Sequence, residues 1–398
     1  MAVGIFIVLG FVILLGFVGS LFFKKTKIPE ALFLIIIGIL LGPVFGILDP
    51  AEFLSFADII TALMLIVIML DNGLSFDIFR VVKALPVTII YSVSILFLTT
   101  FSITSVLVFL FGFHLLEAAI IALVISGTTT DVITVITSRM KIKRESRQLL
   151  IIDSVVNDLQ IIPFFILLGF AKTSSLDGLS FIVPFLSVPL AIAFGVVAAI
   201  LWLYVIGKFL GKHPLNYIAT IAILFILYGI VQTFQGSGPI AILTFSLILG
   251  NALGIFRKFK IKDGIKKKFT IYVLRDLKRI EFDISFLIRT IFFVFLGVIF
   301  SFSGIHSSSL WMWPALIAVI LLSRYIPTLL LARRHREYRR DKGPLTWIMP
   351  RGYVAAALAF MAYGSGIFTR SIVDITLMVI FTTTFIAIAY SVWHGKKK

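Results

Sequence analysis

The sequence lacks cysteine entirely, and only 14% of its 398 residues are charged. Without cysteine the chain has no disulfide bonds, zinc fingers or thiol chemistry. Soluble domains average roughly a quarter charged residues, so this composition, which is 60% hydrophobic, indicates a polytopic membrane protein. No Walker A, GxGxxG or nucleophile-elbow motif occurs, and nothing else points to ATP, a dinucleotide or hydrolysis. We therefore expect neither an enzyme nor a cofactor.

Apolar stretches long enough to cross a bilayer recur from one end of the chain to the other. A spanning helix needs about 20 mostly apolar residues. We predict an all-α protein with a single integral membrane domain over residues 1–398 and no separate soluble domain. The first stretch lacks the basic start and cleavage site of a signal peptide, so we expect it to remain as a helix. The predicted transmembrane helices, about thirteen, lie near residues 2–22, 30–48, 54–75, 86–111, 115–138, 149–170, 180–206, 214–234, 238–256, 283–303, 310–332, 346–366 and 371–393.

Acidic residues are scarce, with 19 Asp and Glu against 36 Lys and Arg. On the predicted spans, 31 of those 36 basic residues lie in one alternating set of connections and only two in the other. Cytoplasmic loops carry such an excess of Lys and Arg, so we expect a cell-membrane protein with its N-terminus outside and its C-terminus in the cytoplasm. Orientation and contact with anionic lipid account for the net charge of +17 without a nucleic-acid partner.

Two segments resemble each other across the chain. "GILLGPVFGI" (38–47) and "SLILGNALGI" (246–255) both end in G-x-x-x-G-I, on spans of opposite direction, which suggests an inverted repeat of spans 1–6 and 8–13. The alternative is that both are ordinary small-residue packing motifs. Two further stretches, "SGTTTDVIT" (126–134) and "MPRGYVAAALAF" (349–360), contain residues that break helices. They predict discontinuous helices at equivalent places, which favours the repeat and a transporter.

Charges inside the predicted spans are few. Each costs at least about 2.5–3.5 kcal/mol in the bilayer core, so such residues are usually functional or paired. Depths estimated from the helical rise of about 1.5 Å per residue place these charged residues in one layer of the membrane. They come from six different spans. The candidates are Asp71, Asp131, Asp153 and Asp158, together with Arg289, Arg324 and Arg351.

The stretch "IIDSVVNDLQIIP" (151–163) holds two polar pairs of interest on one span. Asp153 and Asn157 are four residues apart and share one helix face, and Ser154 and Asp158 share another. This spacing predicts that Asp153 meets an arginine and that Asp158 points into a cavity. Structural interpretations stay open: the three arginines as counter-charges, Asp131 as a helix cap, and Asp71 as a residue at a helix end.

Four of these motifs together resemble a known family. "TTTD" (128–131), "DSVVND" (153–158), "FFVFLG" (292–297) and "PRGYVAAALA" (350–359) resemble the Na+/H+ exchangers of the NhaP/NHE branch of the monovalent cation/proton antiporters. The resemblance implies an NhaA-like fold with crossed discontinuous helices. It also implies a moving core of residues 86–170 and 310–393 and a homodimer scaffold of residues 1–84 and 180–303.

The resemblance also implies roles for single residues. Asp158 would alternate between a proton and Na+, with Thr130 and Ser154 as further Na+ ligands. Asp131, Asn157 and Asp71 would complete the ion and proton site, and Arg324 would pair with Asp153. The branch usually carries glutamate where this chain has Asp153 and often where it has Asp71.

From these residues we expect electroneutral 1:1 exchange of Na+ or Li+ for H+ by alternating access. The alternatives are K+/H+ exchange, a cation-coupled symporter of an organic anion, and a receptor or scaffold without transport. The acidic candidates disfavour an anionic cargo, and a receptor would not need charges from six spans in one layer.

Overall fold

The computed structural model describes residues 10–19, 21, 30–50, 54, 56–76, 78–138, 140–173, 183–210, 216–258, 264–300, 307–364, 368 and 371–395. Nearly all of these residues are helical. The helices are α1 (Gly10–Gly19), α2 (Glu30–Ile39), α3 (Ala57–Ser75), α4 (Ile78–Phe111), α5 (Leu115–Val124), α6 (Thr130–Ser138), α7 (Arg144–Thr173), α8 (Val183–Val205), α9 (Asn216–Thr233), α10 (Gly238–Gly250), α11 (Ala252–Lys258), α12 (Gly264–Ile299), α13 (Ser307–Arg334), α14 (Lys342–Trp347), α15 (Tyr353–Gly364) and α16 (Ser371–Gly395).

Within the described residues, eight helices are long and apolar enough to cross a membrane. Shorter apolar helices, such as α1, α5, α10 and α15, accompany them. The all-helical, multi-pass character predicted from composition is therefore confirmed. The number thirteen stays a prediction, because parts of the predicted spans and connections, residues 1–9 and 22–29 among them, lie outside the described residues.

Several predicted boundaries are wrong because helices continue beyond the apolar stretch. The helix predicted to begin near residue 283 begins at Gly264, and the one predicted from residue 86 begins at Ile78. Lys and Arg have high helix propensity, so a helix that leaves the bilayer continues through basic sequence. The predicted basic connection 257–279 is accordingly helical over much of its length.

The two predicted interruptions are confirmed. The segment between α5 and α6 (residues 125–129) is not helical, and neither is the segment between α14 and α15 (residues 348–352). Successive threonines compete for backbone hydrogen bonds in the first, and Pro350 removes a donor in the second. Each predicted span is thus two short helices.

The chain divides into two compact units. The first comprises Met1–Thr61, Pro86–Thr173 and Arg289–Lys398, and the second comprises Ala62–Leu85 and Ser174–Ile288. The first contains the whole of the predicted core (86–170 and 310–393). The assignment of a moving core and a dimer scaffold stays a prediction.

In the first unit the two interrupted elements pack against the same neighbours. Helix α5 packs against α7 and α15, and α6 packs against α7 and α16. Helix α15 in turn packs against α7 and α16. The two interruptions therefore lie between α7 and α16, which is where the candidate residues of α7 are found.

The glycines of the repeated segments allow close backbone approach. In the first unit, a Cβ added to Gly38 would lie 2.7 Å from Gly297 Cα, and one added to Gly42 would lie 2.7 Å from the carbonyl oxygen of Val298. In the second unit, a Cβ on Gly250 would lie 2.9 Å from Leu74 Cα. Packing of small residues therefore explains these glycines.

Both copies of the repeated segment also interrupt regular α-helix at the same point. Gly42 lies in a π-helical turn, Leu40–Val44, that contains Pro43. Its counterpart Gly250 is the last residue of α10, and Asn251 separates α10 from α11. These irregularities were not predicted, and their equivalent positions agree with the inverted repeat.

Candidate functional site

Helix α7 carries four candidate side chains in its buried middle. Asp153, Ser154, Asn157 and Asp158 are all buried, with Asp158 only 2% exposed. Pro163 follows inside the same helix and leaves the backbone carbonyl of residue 159 without its usual helical donor. The helix therefore presents polar side chains and an irregular backbone at one level of the first unit.

Asp153 forms a buried ion pair with Arg324 of α13. The Nη2 of Arg324 donates to Oδ2 of Asp153 at 3.0 Å, and both side chains are fully buried. The Nε of Arg324 donates to the carbonyl oxygen of Leu345 at 2.8 Å, and its guanidinium carbon lies 5.9 Å from the ring centre of Tyr91. Asp153 thus reaches its arginine despite having one methylene fewer than the glutamate of the branch, and its charge is compensated.

Asn157 links three elements through its carboxamide. Its Nδ2 donates to the hydroxyl of Thr128 at 3.3 Å and lies 3.5 Å from Oδ1 of Asp153. Its Oδ1 accepts a hydrogen bond from the hydroxyl of Ser92 on α4 at 3.2 Å. Asn157 therefore connects the ion pair to the interruption between α5 and α6.

On the neighbouring face, Ser154 meets Thr130, the first residue of α6. Their hydroxyl oxygens are 2.9 Å apart, and Ser154 also donates to the carbonyl oxygen of Ile151 at 2.8 Å. Ser154 and Asp158 are four residues apart, so they lie on the same face of α7. That face therefore presents two hydroxyl oxygens and a carboxylate, which are neutral or anionic oxygen ligands.

The two interruptions contact each other directly. The backbone N–H of Thr129 donates to the carbonyl oxygen of Pro350 at 2.9 Å. A Cβ added to Gly352 would lie 2.8 Å from Cγ2 of Thr129, so the crossing requires glycine there. This contact confirms the predicted crossing of the discontinuous helices.

Arg351 lies at the crossing and is 1% exposed. Its Nη1 donates to the carbonyl oxygen of Ser126, two residues after the C-terminal end of α5. Its backbone N–H donates to the hydroxyl of Thr383 on α16 at 3.0 Å. A cation is stabilising near a helix C-terminus, where backbone carbonyls are unsatisfied, so Arg351 stabilises the broken backbone.

Three candidates remain, namely Asp131, Asp71 and Arg289. Asp131 follows Thr130 in the first turn of α6, but its side chain lies outside the described residues. Asp71 belongs to the second unit, where Ser75 donates to its carboxylate at 3.2 Å. Arg289 is half-buried on α12. Their assignment to the site stays a prediction.

Sequence reasoning missed three polar residues that contact the candidates, namely Tyr91, Ser92 and Thr128. A signal for Ser92 exists in α4. Thr88, Ser92 and Thr99 are buried and recur at spacings of four and seven residues, so they lie on one helix face. A polar stripe on one face of a transmembrane helix indicates polar partners on the neighbouring helices.

The fold and the site together define a class of protein. Two interrupted helices cross beside a buried carboxylate in a multi-pass helical protein, which is the arrangement of a secondary transporter. The family described as sodium/hydrogen exchanger, transmembrane, matches residues 10–391. The chain therefore belongs to the sodium/hydrogen exchanger family, and Na+/H+ antiport is the function that this membership supports.

Comparison with solved structures agrees with this assignment. A structure of the sodium proton antiporter MjNhaP1 from Methanocaldococcus jannaschii at pH 8 is similar with a TM-score of 0.78 at 20% sequence identity, over 97% of this chain and 96% of that chain. An electron-microscopy structure of the same antiporter gives a TM-score of 0.75 at 20% identity, over 99% and 96% of the two chains. At this identity the likeness shows the fold. A search of curated protein sequences gives no significant match.

Proposed function

We propose that the chain exchanges one Na+ or Li+ for one H+ at Asp158, by alternating access. The observation that carries this proposal is the ion pair between Asp153 and Arg324, at 3.0 Å and fully buried. Because Arg324 compensates Asp153, that carboxylate does not need a transported cation. Asp158 lies on the neighbouring face of α7 and becomes the carboxylate of this helix that takes up cargo.

The surroundings of Asp158 suit an alkali cation. Carboxylate and hydroxyl oxygens are hard ligands, the kind preferred by cations that are not transition metals. A hydroxyl has two acceptor lone pairs, so Thr130 and Ser154 keep lone pairs for Na+ while they contact each other at 2.9 Å. We assign Na+ coordination to Asp158, Thr130 and Ser154, with Asp131, Asn157 and Asp71 as further members of the ion and proton site.

Charge explains the coupling. A buried carboxylate without a cation is costly to carry across a dry barrier. Either a proton or a sodium ion neutralises Asp158, and both carry one charge, so the loaded carrier crosses in either form and the empty carrier does not. The exchange is then 1:1 and electroneutral.

Antiport in vesicles of purified protein tests the proposal. Acid-loaded vesicles should lose protons when Na+ is added outside, and the Asp158→Asn variant should not respond. Asp283→Asn is the matched control, because Asp283 is an exposed carboxylate on α12. Full activity of Asp158→Asn would overturn the assignment, and a rate that follows a clamped membrane potential would overturn the 1:1 stoichiometry.

The same vesicles separate the alternative cargoes. K+ in place of Na+ tests K+/H+ exchange, and an organic anion added with Na+ tests symport. The carboxylates assigned to the site, such as Asp158, disfavour an anionic cargo through like-charge repulsion. We therefore expect no response to the organic anion.

The arrangement of the protein in the membrane belongs to the proposal as well. We propose a homodimer in the cell membrane, with residues 1–84 and 180–303 as scaffold and the C-terminus in the cytoplasm. The basic connections support this orientation. Fluorescent tags that mature only in the cytoplasm test it, and the mass of the detergent-solubilised protein tests the dimer.

A further inference from the structure

Ser92 is a buried hydroxyl group that touches the site from outside α7. It lies on α4, is fully buried, and donates to Oδ1 of Asn157 at 3.2 Å. Asn157 precedes Asp158 in the sequence, and its carboxamide oxygen and nitrogen are nearly equal in size. The orientation of this carboxamide is therefore fixed by its hydrogen-bond partners.

The partners of Asn157 agree on one orientation. The Asp153 carboxylate, which only accepts, already takes Arg324 on Oδ2 and faces Nδ2 of Asn157 through Oδ1 at 3.5 Å. In the reversed orientation, the carboxamide oxygen would face that carboxylate. Ser92 donates its single proton to Oδ1 on the opposite side and so keeps the oxygen on the side of α4.

The oriented carboxamide in turn holds the interruption of α5 and α6. Its Nδ2 donates to Thr128 at 3.3 Å, in the non-helical segment 125–129. Two residues later, Thr130 begins α6 and its hydroxyl lies 2.9 Å from that of Ser154. Hydrogen bonds thus link Ser92 through Asn157 to Thr128, and the backbone links Thr128 to the Thr130–Ser154 hydroxyl pair, on the face of α7 that carries Asp158.

We propose that Ser92 is a positioning residue for cation exchange, which acts through Asn157 to hold Thr130 against Ser154. This inference rests on the proposed function, since it assumes that Thr130 and Ser154 ligate Na+. A hydroxyl that only filled space in the helix packing would affect stability without affecting the affinity for Na+.

Thermal stabilisation of the purified protein by Na+ tests this role, because it measures binding without turnover. We expect Ser92→Ala to raise the dissociation constant for Na+ about tenfold, the scale of one buried hydrogen bond. Thr99→Val is the matched control. It removes another buried hydroxyl of the stripe, which pairs with Ser323 at 2.9 Å, and should leave the dissociation constant within about twofold of the unmodified protein.

Two further variants separate positioning from packing. In an Asn157→Ala background, Ser92→Ala should cause no further change in the dissociation constant, because its effect passes through Asn157. Ser92→Cys nearly keeps the size of the side chain and replaces the hydroxyl by a thiol, which is a weaker donor. It should therefore raise the dissociation constant less than Ser92→Ala does. It also serves as the informative variant if Ser92→Ala does not fold.

The outcomes distinguish this inference from the proposed function. Any one of four results would overturn the positioning role. Two concern Ser92→Ala alone: an unchanged affinity for Na+, or an effect equal to that of Thr99→Val. The other two are a larger effect of Ser92→Cys than of Ser92→Ala, and full additivity of Ser92→Ala with Asn157→Ala. If the unmodified protein is not stabilised by Na+, or if Asp158→Asn is stabilised equally, the proposed function itself fails. These last two results are obtained without any Ser92 variant, so they are distinguishable from a failure of the positioning role.

Discussion

Removing Arg324 alone should destabilise the protein far more than removing the Asp153–Arg324 pair together. In Arg324→Met, the Asp153 carboxylate stays fully buried but loses its ion-pair partner at 3.0 Å. Breaking a buried pair by removing one partner typically costs about 3–5 kcal/mol, because an uncompensated charge remains. Arg324→Met also removes the hydrogen bond to the carbonyl oxygen of Leu345, which adds about 1 kcal/mol.

The double variant Asp153→Leu/Arg324→Met should recover much of this loss. Replacing a buried pair by apolar residues of similar volume is often neutral or stabilising. The expected interaction energy in the double-mutant cycle is therefore at least about 2 kcal/mol. For a large domain, 1 kcal/mol corresponds to roughly 2 °C in the melting temperature. Arg324→Met should therefore melt roughly 8–12 °C lower, Asp153→Leu roughly 6–10 °C lower, and the double variant only a few degrees lower.

Thermal unfolding of detergent-solubilised protein, followed by loss of the monodisperse species, measures these shifts at a fixed heating rate. Thr328→Val serves as a control, because it removes a buried hydroxyl near Tyr91 and no charge. If the shift in melting temperature of the double variant equals the sum of the shifts of the two single variants, the two side chains do not stabilise each other. The interpretation of this pair would then be wrong.

Three further changes test other contacts. Gly297→Ala should destabilise the protein by the cost of overpacking, about 1–3 kcal/mol, because its Cβ would lie 2.7 Å from Gly38 Cα. Gly169→Ala, at a helical position with open space around it, should leave the melting temperature unchanged or raise it slightly. Gly352→Ala should reduce transport at least roughly tenfold by displacing Thr129 at the crossing, and normal transport would show that the crossing tolerates a side chain. Asp341→Ala should lower the free energy of unfolding by about 1–3 kcal/mol, because the buried carboxylate accepts a hydrogen bond from the backbone N–H of Lys143 at 2.9 Å. Asp283→Ala, at an exposed position, is its control, and equal melting temperatures of the two variants would contradict the prediction.

The helices and their interruptions could be read from the sequence because they depend on local chemistry. Apolar stretches of about 20 residues predict spans, and the threonines at 128–130 and Pro350 predict breaks. Helix ends could not be read in the same way. The basic residues ahead of Phe282 mark the edge of the bilayer, but they do not end a helix, so α12 begins at Gly264.

The partners within the site depended on distances between helices, which sequence spacing does not contain. The faces of α7 were predictable from the spacing of Asp153, Ser154, Asn157 and Asp158. Residue spacing alone left three arginines open as partners of Asp153, and only the resemblance pointed to Arg324. The structure places Arg324 on Asp153 and Arg351 on the carbonyl oxygen of Ser126. Both positions follow from the packing of α13 and α15 in the first unit.

The contacts of Leu345 and Ser126 were beyond sequence reasoning for a different reason. Both offer backbone carbonyl oxygens, to Arg324 and Arg351 respectively, and every residue has such an oxygen. The side chains at these positions therefore carry no signal of the contact. The breaks predicted nearby indicate only that some carbonyl groups are available.

The number of protons released for each Na+ bound tests the central claim most directly. At a pH low enough that Asp158 holds its proton, binding of Na+ to the purified protein in weak buffer should release close to one proton per ion. The Asp158→Asn variant should release none. Release of two protons per Na+, or release by Asp158→Asn equal to that of the unmodified protein, would contradict the sharing of one carboxylate by the two cargoes.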